Sequence, residues 1–509
     1  MNKTKFHILL FAVATLLATA CGSDTTVPAD AVATETAVQI YPDYRDVTIP
    51  VNIAPLNFQV KTDGDKYVAH IKGQKGELVT DAGADGKMVL DSLAWRRLLA
   101  DNRDADLEVT IYSHREGQWL RHPVYKLHVA EPIDRYLSYR LIEPGYELYR
   151  QVGLYQRDLM SFTETPIYEN NRDYDTINNH CVNCHTYQAN DTKRTLFHVR
   201  ARHGGTVVVT NGKAVKWNMA LDSILSSTVY PTWHPTRNWV VFSSNQTGQA
   251  FHIRGHEKIE VMDYGSDLVF FDADAGTLSN ILKTDADLET FPCWAPDGKK
   301  LYYCNAHVPQ FEGKTVAQRR DLVTTISDSI RYNLMSMTFD PETRRFGSPV
   351  VEVDCAAMKR SASVPRVSPD GRYLLFTLGS YGQFHIWHTD ADLYVKDLQT
   401  GAVSRLAAAS SSDADSYHTW SSNGRWIVFA SRRDDGSFSR AYIAYFDKAG
   451  RDRKAFLLPQ EDPEQNQLLL KSYNVPELSK EAVKSSPDEL KQVIYDDKAV
   501  RKVTYKAMH

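Results

Sequence analysis

The chain has 509 residues, 42% of them hydrophobic and 24% charged, with a formal net charge of −4. This is ordinary globular composition with room for two or more domains. Neither a basic nucleic-acid surface nor an acidic tail is indicated, so no nucleic-acid partner is expected.

Lys3 and Lys5 precede an apolar run from Ile8 to Leu17, followed by Ala18-Thr19-Ala20-Cys21. A run this short reads as an export signal over residues 1–20 and not as a membrane span. With its cysteine it resembles a bacterial lipoprotein signal, although the leucine usual three places before the cysteine stands here at Leu17, four before. The resemblance implies lipidation of Cys21 and an exported protein anchored to a bacterial membrane, the outer membrane facing the periplasm being the expected one. Residues 21–39 are polar with little to bury, which predicts a flexible tether.

From 40 to 131 short alternating segments such as Lys66-Tyr-Val-Ala-His-Ile and Leu107-Glu-Val-Thr-Ile-Tyr suit half-buried strands. Only Asp91–Ala100 reads as helix. The spacing predicts a β-sandwich-like domain serving as a spacer or docking module.

Residues 132–198 are dense in aromatics and arginine, among them Tyr136, Tyr139, Tyr146, Tyr149 and Tyr174, and lead into Cys181-Val-Asn-Cys184-His185. C-x-x-C-H is the pattern for covalent haem attachment. Each thiol can form a thioether to a haem vinyl group, and the histidine that follows can ligate the iron. A redox C-x-x-C would need a thioredoxin-like βαβ context, and a zinc site would need a second Cys/His pair. Neither is visible. One covalent haem c is therefore expected on Cys181, Cys184 and His185. It would sit on a segment inserted ahead of the main blades described next, and export suits it, since such haems are attached outside the cytoplasmic membrane. The sixth iron position decides between electron transfer and ligand chemistry. His198, in the strand-like run Leu196-Phe-His-Val-Arg, is the first candidate and Met219 the alternative. His180 is badly placed for the opposite face, and His203 is a further neighbour.

Residues 194–463 contain an internal repeat. Tyr230-Pro-Thr-Trp233-His-Pro-Thr-Arg-Asn, Phe291-Pro-Cys-Trp294-Ala-Pro-Asp-Gly, Val364-Pro-Arg-Val367-Ser-Pro-Asp-Gly and Tyr417-His-Thr-Trp420-Ser-Ser-Asn-Gly each precede a hydrophobic strand, a hairpin signature. Trp233, Trp294, Val367 and Trp420 are 61, 73 and 53 residues apart, enough for one four-stranded sheet plus loops. Repeated sheets of this size close into a β-propeller. A weaker unit at Leu196–Thr210 supplies a fifth blade, and strands within 136–170 could supply a sixth. The W-x-P-D-G-[KR]-x-[LI] motif resembles the TolB-like propeller family over about 230–460. This implies the fold and a role in periplasmic or cell-surface binding and does not by itself imply an enzyme, and that family as a whole carries no haem. A peptidase is excluded, because no G-x-S-x-G elbow occurs and the residues after the last blade are too few for a hydrolase domain.

The remainder, 464–509, reads as a polar C-terminal tail with one helix at Ser486–Tyr495. Cys293 and Cys304 flank the turn at Pro296-Asp297-Gly298 and read as buried thiols in preference to a disulfide. The expected whole is all-β: a sandwich, then a five- or six-bladed TolB-like propeller bearing a haem. Its expected work is electron transfer to a redox partner protein. A haem enzyme or small-ligand sensor with an open iron site, and a TolB-like binding lipoprotein without haem, are the alternatives.

Overall fold

In the computed structural model, residues 25–143, 151–171, 180–253 and 257–508 are described. Cys21, Tyr146, Tyr149 and Tyr174 lie outside them. Two sheets of seven and three strands form the N-terminal domain. The helix Ser92–Asp101 packs Trp95, Leu98 and Leu99 inward, and the Asp91 carboxylate caps it by accepting from the backbone N–H groups of Leu93 and Ala94. Its core is continuous with that of the propeller through Trp426, Val428 and Ile443. The Trp426 indole donates to the Glu131 carbonyl at 3.0 Å across that boundary.

The rest is a propeller of six blades, counted from the strand pairings. Blade 1 consists of Tyr136–Ile142, Val152–Asp158 and Glu164–Glu169, completed on its inner side by Ser472–Ser479. Blade 2 runs from His180–Gln188 through Asp191–Ala201 and Gly205–Thr210 to Lys213–Asn218. The innermost strands of blades 3 to 6 are Thr228–Trp233, Asp287–Trp294, Ser361–Val367 and Asp415–Trp420. Strand closure between the two ends of the propeller removes the exposed edges that an open ring would leave.

Of the five or six blades expected, six are present. Two expectations change. Residues 132–198 are no insertion ahead of the blades but supply most of blade 1 and the first two strands of blade 2. Residues 464–509 are no mere tail: they supply the closing strand Ser472–Ser479, the helix Pro487–Tyr495 and edge strands Arg501–Lys502 and Thr504–Tyr505 on blades 2 and 3. Polarity hid these elements, because the closing strand buries only Tyr473, Pro476, Leu478 and Ser479, which form no regular alternation. The helix is where the sequence puts it, started by a Ser486–Glu489 capping box. Cys293, Cys304 and Cys355 are free and buried.

Tyr473 of the closing strand is 2% exposed and meets Tyr139 edge-on with ring centroids 4.7 Å apart. Tyr473→Ala is expected to cost about 3–5 kcal/mol in urea unfolding. Tyr505→Ala, at a 44% exposed residue, should cost under about 0.5 kcal/mol.

Candidate functional site

Each of the six innermost strands carries a bulge at the same place, and at its first residue the backbone enters the left-handed region. These residues are Cys184, Tyr230, Phe291, Val364, Tyr417 and Val475, with φ between 47° and 52°. Such a conformation is unfavourable for side chains other than glycine. Its recurrence in every blade marks it as part of the architecture, since a bulge re-aims a side chain out of the alternating pattern. All six of these side chains line one cavity of about 820 Å³ in the channel. That volume is within the range of small-molecule and cofactor sites.

The haem-attachment motif therefore lies on the innermost strand of blade 2, in register with the propeller repeat. Cys184-His-Thr-Tyr187 occupies the positions of Tyr417-His-Thr-Trp420. His185 stands where the other blades have Pro231, Pro292, Pro365, His418 and Pro476. The six-copy alignment of these tetrapeptides was available from the sequence as a spacing signal. Cys184 and Val475 obscured it, because neither is followed by the Pro-Asp-Gly turn of the better copies.

Cys181, Cys184, His185, His198 and Met219 all line the cavity. His185 is 4% exposed and neither ring nitrogen has a hydrogen-bond partner; the Ser138 carbonyl lies near without a bonding alignment. Burial, aided by the Arg140 charge, lowers its pKa to about 4, so it stays neutral. His198 is also 4% exposed. It lies across from Asn183 on the neighbouring strand, and its Nδ1 is bonded to the Thr206 hydroxyl at 2.9 Å while its Nε2 has no partner. Burial pushes its pKa down to about 3. A second nitrogen fixed by a hydrogen bond is the usual arrangement around a metal-ligating imidazole. Met219 is packed into the hydrophobic interface of blades 2 and 3 with Trp217 and Ile224.

The remaining histidines separate from the site. The His180 ring is bonded to the Tyr168 hydroxyl at 2.7 Å, and His203 to Asp497 at 3.0 Å. His234 meets the Gly298 carbonyl at 3.2 Å, and His388 pairs with Glu260 at 2.7 Å. His418 lies beside the Thr377 hydroxyl. Among the described residues no group of three or more His, Cys, Asp or Glu side chains converges as a metal-ion site.

Three guanidinium groups, which the sequence did not single out, face the same cavity: Arg140, Arg200 and Arg366. Aromatic wall is supplied by Tyr230, Phe291 and Tyr417, the first two with ring centroids 4.2 Å apart. Glu477 accepts from the Tyr187 backbone N–H at 2.9 Å and the Thr186 hydroxyl at 3.2 Å. Burial pushes its carboxyl up to about 7 against these hydrogen bonds and the charge of Arg366.

No family model and no curated protein sequence matches the chain. Among solved structures it is similar to TolB from Acinetobacter baumannii, at 12% identity and a TM-score of 0.42, covering 76% of this chain and 85% of that one. It is also similar to the β-propeller domain of the Trilobed protease from Pyrococcus furiosus, at 11% identity and a TM-score of 0.32, covering 74% and 95%. A third is an oligogalacturonate lyase from Vibrio parahaemolyticus, at 14% identity and a TM-score of 0.29, covering 82% and 99%. The six-bladed arrangement rests on the strand pairing described above.

Behind the cavity wall, Asp263 is 2% exposed, and one carboxylate oxygen accepts from Asn245 (3.1 Å) and Tyr332 (3.2 Å) while the other is unpartnered. Burial raises its pKa from 3.8 to about 7. The folded chain then holds this proton more tightly than the unfolded chain, so stability falls as pH rises from about 4 to about 7. The loss from Asp263 alone should be on the order of 4 kcal/mol in denaturant titrations across that window, and Asp263→Asn should remove that share of the slope.

Proposed function

We propose that the protein is a lipid-anchored c-type monohaem protein that transfers electrons, with the propeller as the platform on which a redox partner docks. The observation that carries this is that both cysteines and His185, a buried imidazole with no hydrogen-bond partner on either nitrogen, line a single cavity of cofactor size. A buried polar group left unpaired costs about 1–3 kcal/mol, and ligation would satisfy it.

In this assignment Cys181 and Cys184 would hold the haem covalently, His185 would ligate its iron, and His198, in preference to Met219, would be the second ligand. His198 offers an unpartnered Nε2 at the cavity, whereas Met219 is a core residue of the blade interface. The haem would supply one-electron exchange at the iron. The chain's own part is to orient and to exclude water. Thr206 fixes the His198 ring by its bond to Nδ1, burial keeps both imidazoles neutral and able to donate a lone pair, and Tyr230, Phe291 and Tyr417 present apolar wall. Cys21 carries the lipid, and the periplasmic face of the outer membrane is the proposed location. Among the described residues no helix is long and apolar enough to cross a membrane.

A second function, a TolB-like binding lipoprotein without haem, is favoured by one specific observation: the Cys184–Tyr187 tetrapeptide coincides with the blade repeat, and His418 occupies the place of His185.

The test is a reduced-minus-oxidised optical spectrum of protein matured with a c-type haem assembly system. Covalent haem with sharp low-spin bands in both states is expected, and His198→Ala should turn the spectrum high-spin while Met219→Ala leaves it low-spin. A high-spin wild type that shifts with carbon monoxide would move the function to ligand chemistry. No haem at all would leave the binding lipoprotein.

A further inference from the structure

The cavity has an electrostatic imbalance that attachment through the cysteines does not use. Arg140 lies on the second strand of blade 1, Arg200 on the second strand of blade 2, and Arg366 on the innermost strand of blade 5. Three blades thus send a guanidinium to one space. Among the described residues none of the three has a carboxylate within ion-pair reach. Arg140 donates to the Val182 carbonyl (3.3 Å), the Asn474 amide oxygen (2.9 Å) and, weakly, the Cys181 Sγ (3.9 Å), and its buried Nε has no partner. Arg200 donates from Nε and Nη2 to the Asn183 amide oxygen, at 3.0 and 3.2 Å, with that amide turned to satisfy both groups. Arg366 donates to the carbonyl of its own neighbour Pro365 at 2.8 Å. All of these partners are neutral.

The acidic residues at the cavity do not compensate. Glu143 is engaged by Lys471 at 2.8 Å, and Glu477 feels the charge of Arg366 without an ion pair, its carboxylate being turned to the Tyr187 N–H and the Thr186 hydroxyl and pushed up to about 7 by burial. Guanidinium groups left with only neutral acceptors around a partly enclosed space recognise carboxylates well, because the planar fork matches a carboxylate with two parallel hydrogen bonds. The aromatic residues between them suit a flat apolar body.

We infer that Arg140 and Arg366, with Arg200 at the more exposed rim, form a clamp for a ligand that bears two carboxylates on a flat apolar frame. The shared chemistry is the carboxylate pair. Its source is either the propionates of a haem or a free dicarboxylic acid, and the clamp rests on the same cavity as the proposed function but not on the thioethers.

The test uses the full exported chain with Cys181→Ser and Cys184→Ser, so that nothing is held covalently. It is titrated with iron protoporphyrin IX, with the dimethyl ester of the same porphyrin, and with butanedioate, in one detergent-containing buffer. The diacid is expected to bind at least tenfold more tightly than the ester. Arg140→Gln combined with Arg366→Gln should abolish that preference, and Arg366→Lys should restore part of it. This result assigns the carboxylates to a porphyrin. Arginine-dependent binding of butanedioate, with no preference between the porphyrins, would uphold the clamp, assign the carboxylates to a free acid and leave the haem to stand or fall by the optical spectrum. Equal binding of diacid and ester together with arginine-independent butanedioate would overturn the clamp, even if the native cysteines carry haem. Thermal melts of each variant identify one that has simply lost its fold. In that case the single Arg366→Gln variant, whose residue bonds only its neighbour's carbonyl, takes its place.

Discussion

The structure depends on one antiparallel pairing made over more than 300 residues of chain: Tyr136–Ile142 with Ser472–Ser479. The rest of blade 1 comes from before blade 2, and its inner strand comes from after blade 6. Until that strand docks, the ring is open and two edges are unpaired. The long loop such a contact closes is entropically costly, but the hydrogen bonds and the burial of Tyr473 and Leu478 against the first blade offset it. The same strand finishes the cavity, because Asn474, Val475 and Glu477 form part of its wall. Fold closure and site formation are therefore one event. A ring of five blades and an incomplete sixth would lack both the Asn474 amide oxygen that accepts from Arg140 and the carboxyl beneath Thr186.

Four blades were legible in the sequence because their hairpins announce themselves: a short inner strand, a turn with Gly in three of the four copies and an apolar second strand recur at blade spacing. Blade 2 was legible only in its outer strands, Leu196–Arg200 and Thr206–Thr210. Its inner strand spells a haem motif, and chemistry-bearing residues distract from periodicity. The sixth inner strand was hidden for another reason. Val475-Pro-Glu-Leu478 has the repeat's tetrapeptide but pairs with a strand far behind it in sequence, so no local turn follows. A periodicity confined to neighbouring residues cannot report a partner that distant. The candidate ligands, by contrast, were found by motif and by proximity. The arginines were missed because three cations spread over residues 140 to 366 form no pattern until the ring brings their blades together.

Half of the haem motif has a second physical explanation. His185 and Thr186 follow the bulge as His418 and Thr419 do, so the architecture alone accepts a histidine there. The two histidines then differ in surroundings. His418 lies beside a hydroxyl of the adjacent strand, whereas His185 has no bonding partner on either nitrogen. At the position of Cys181 three of the other five blades carry serine, the oxygen counterpart of cysteine (Ser227, Ser361 and Ser472), and the remaining two carry Leu288 and Ala414, so the repeat accepts a small side chain there but supplies no second thiol.

The strongest link between the thiols and the cavity is steric. At the bulge, five blades place Tyr230, Phe291, Val364, Tyr417 and Val475 toward the channel, and a ring of such side chains tends to fill it. Blade 2 alone has a small side chain, Cys184, at that position. The gap in the girdle opens toward His198 and Thr206 on the neighbouring strands, so the cavity reaches blade 2 there, as it also reaches blade 1 at Arg140 and blade 3 at Asn245 and Val261. Space and a thiol thus follow from the same departure from the repeat, beside the partnerless His185 ring and the free Nε2 of His198. A propeller that needed only to pack its channel would keep an aromatic or branched residue there; one that holds a group by its thiols needs both the sulfur and the room.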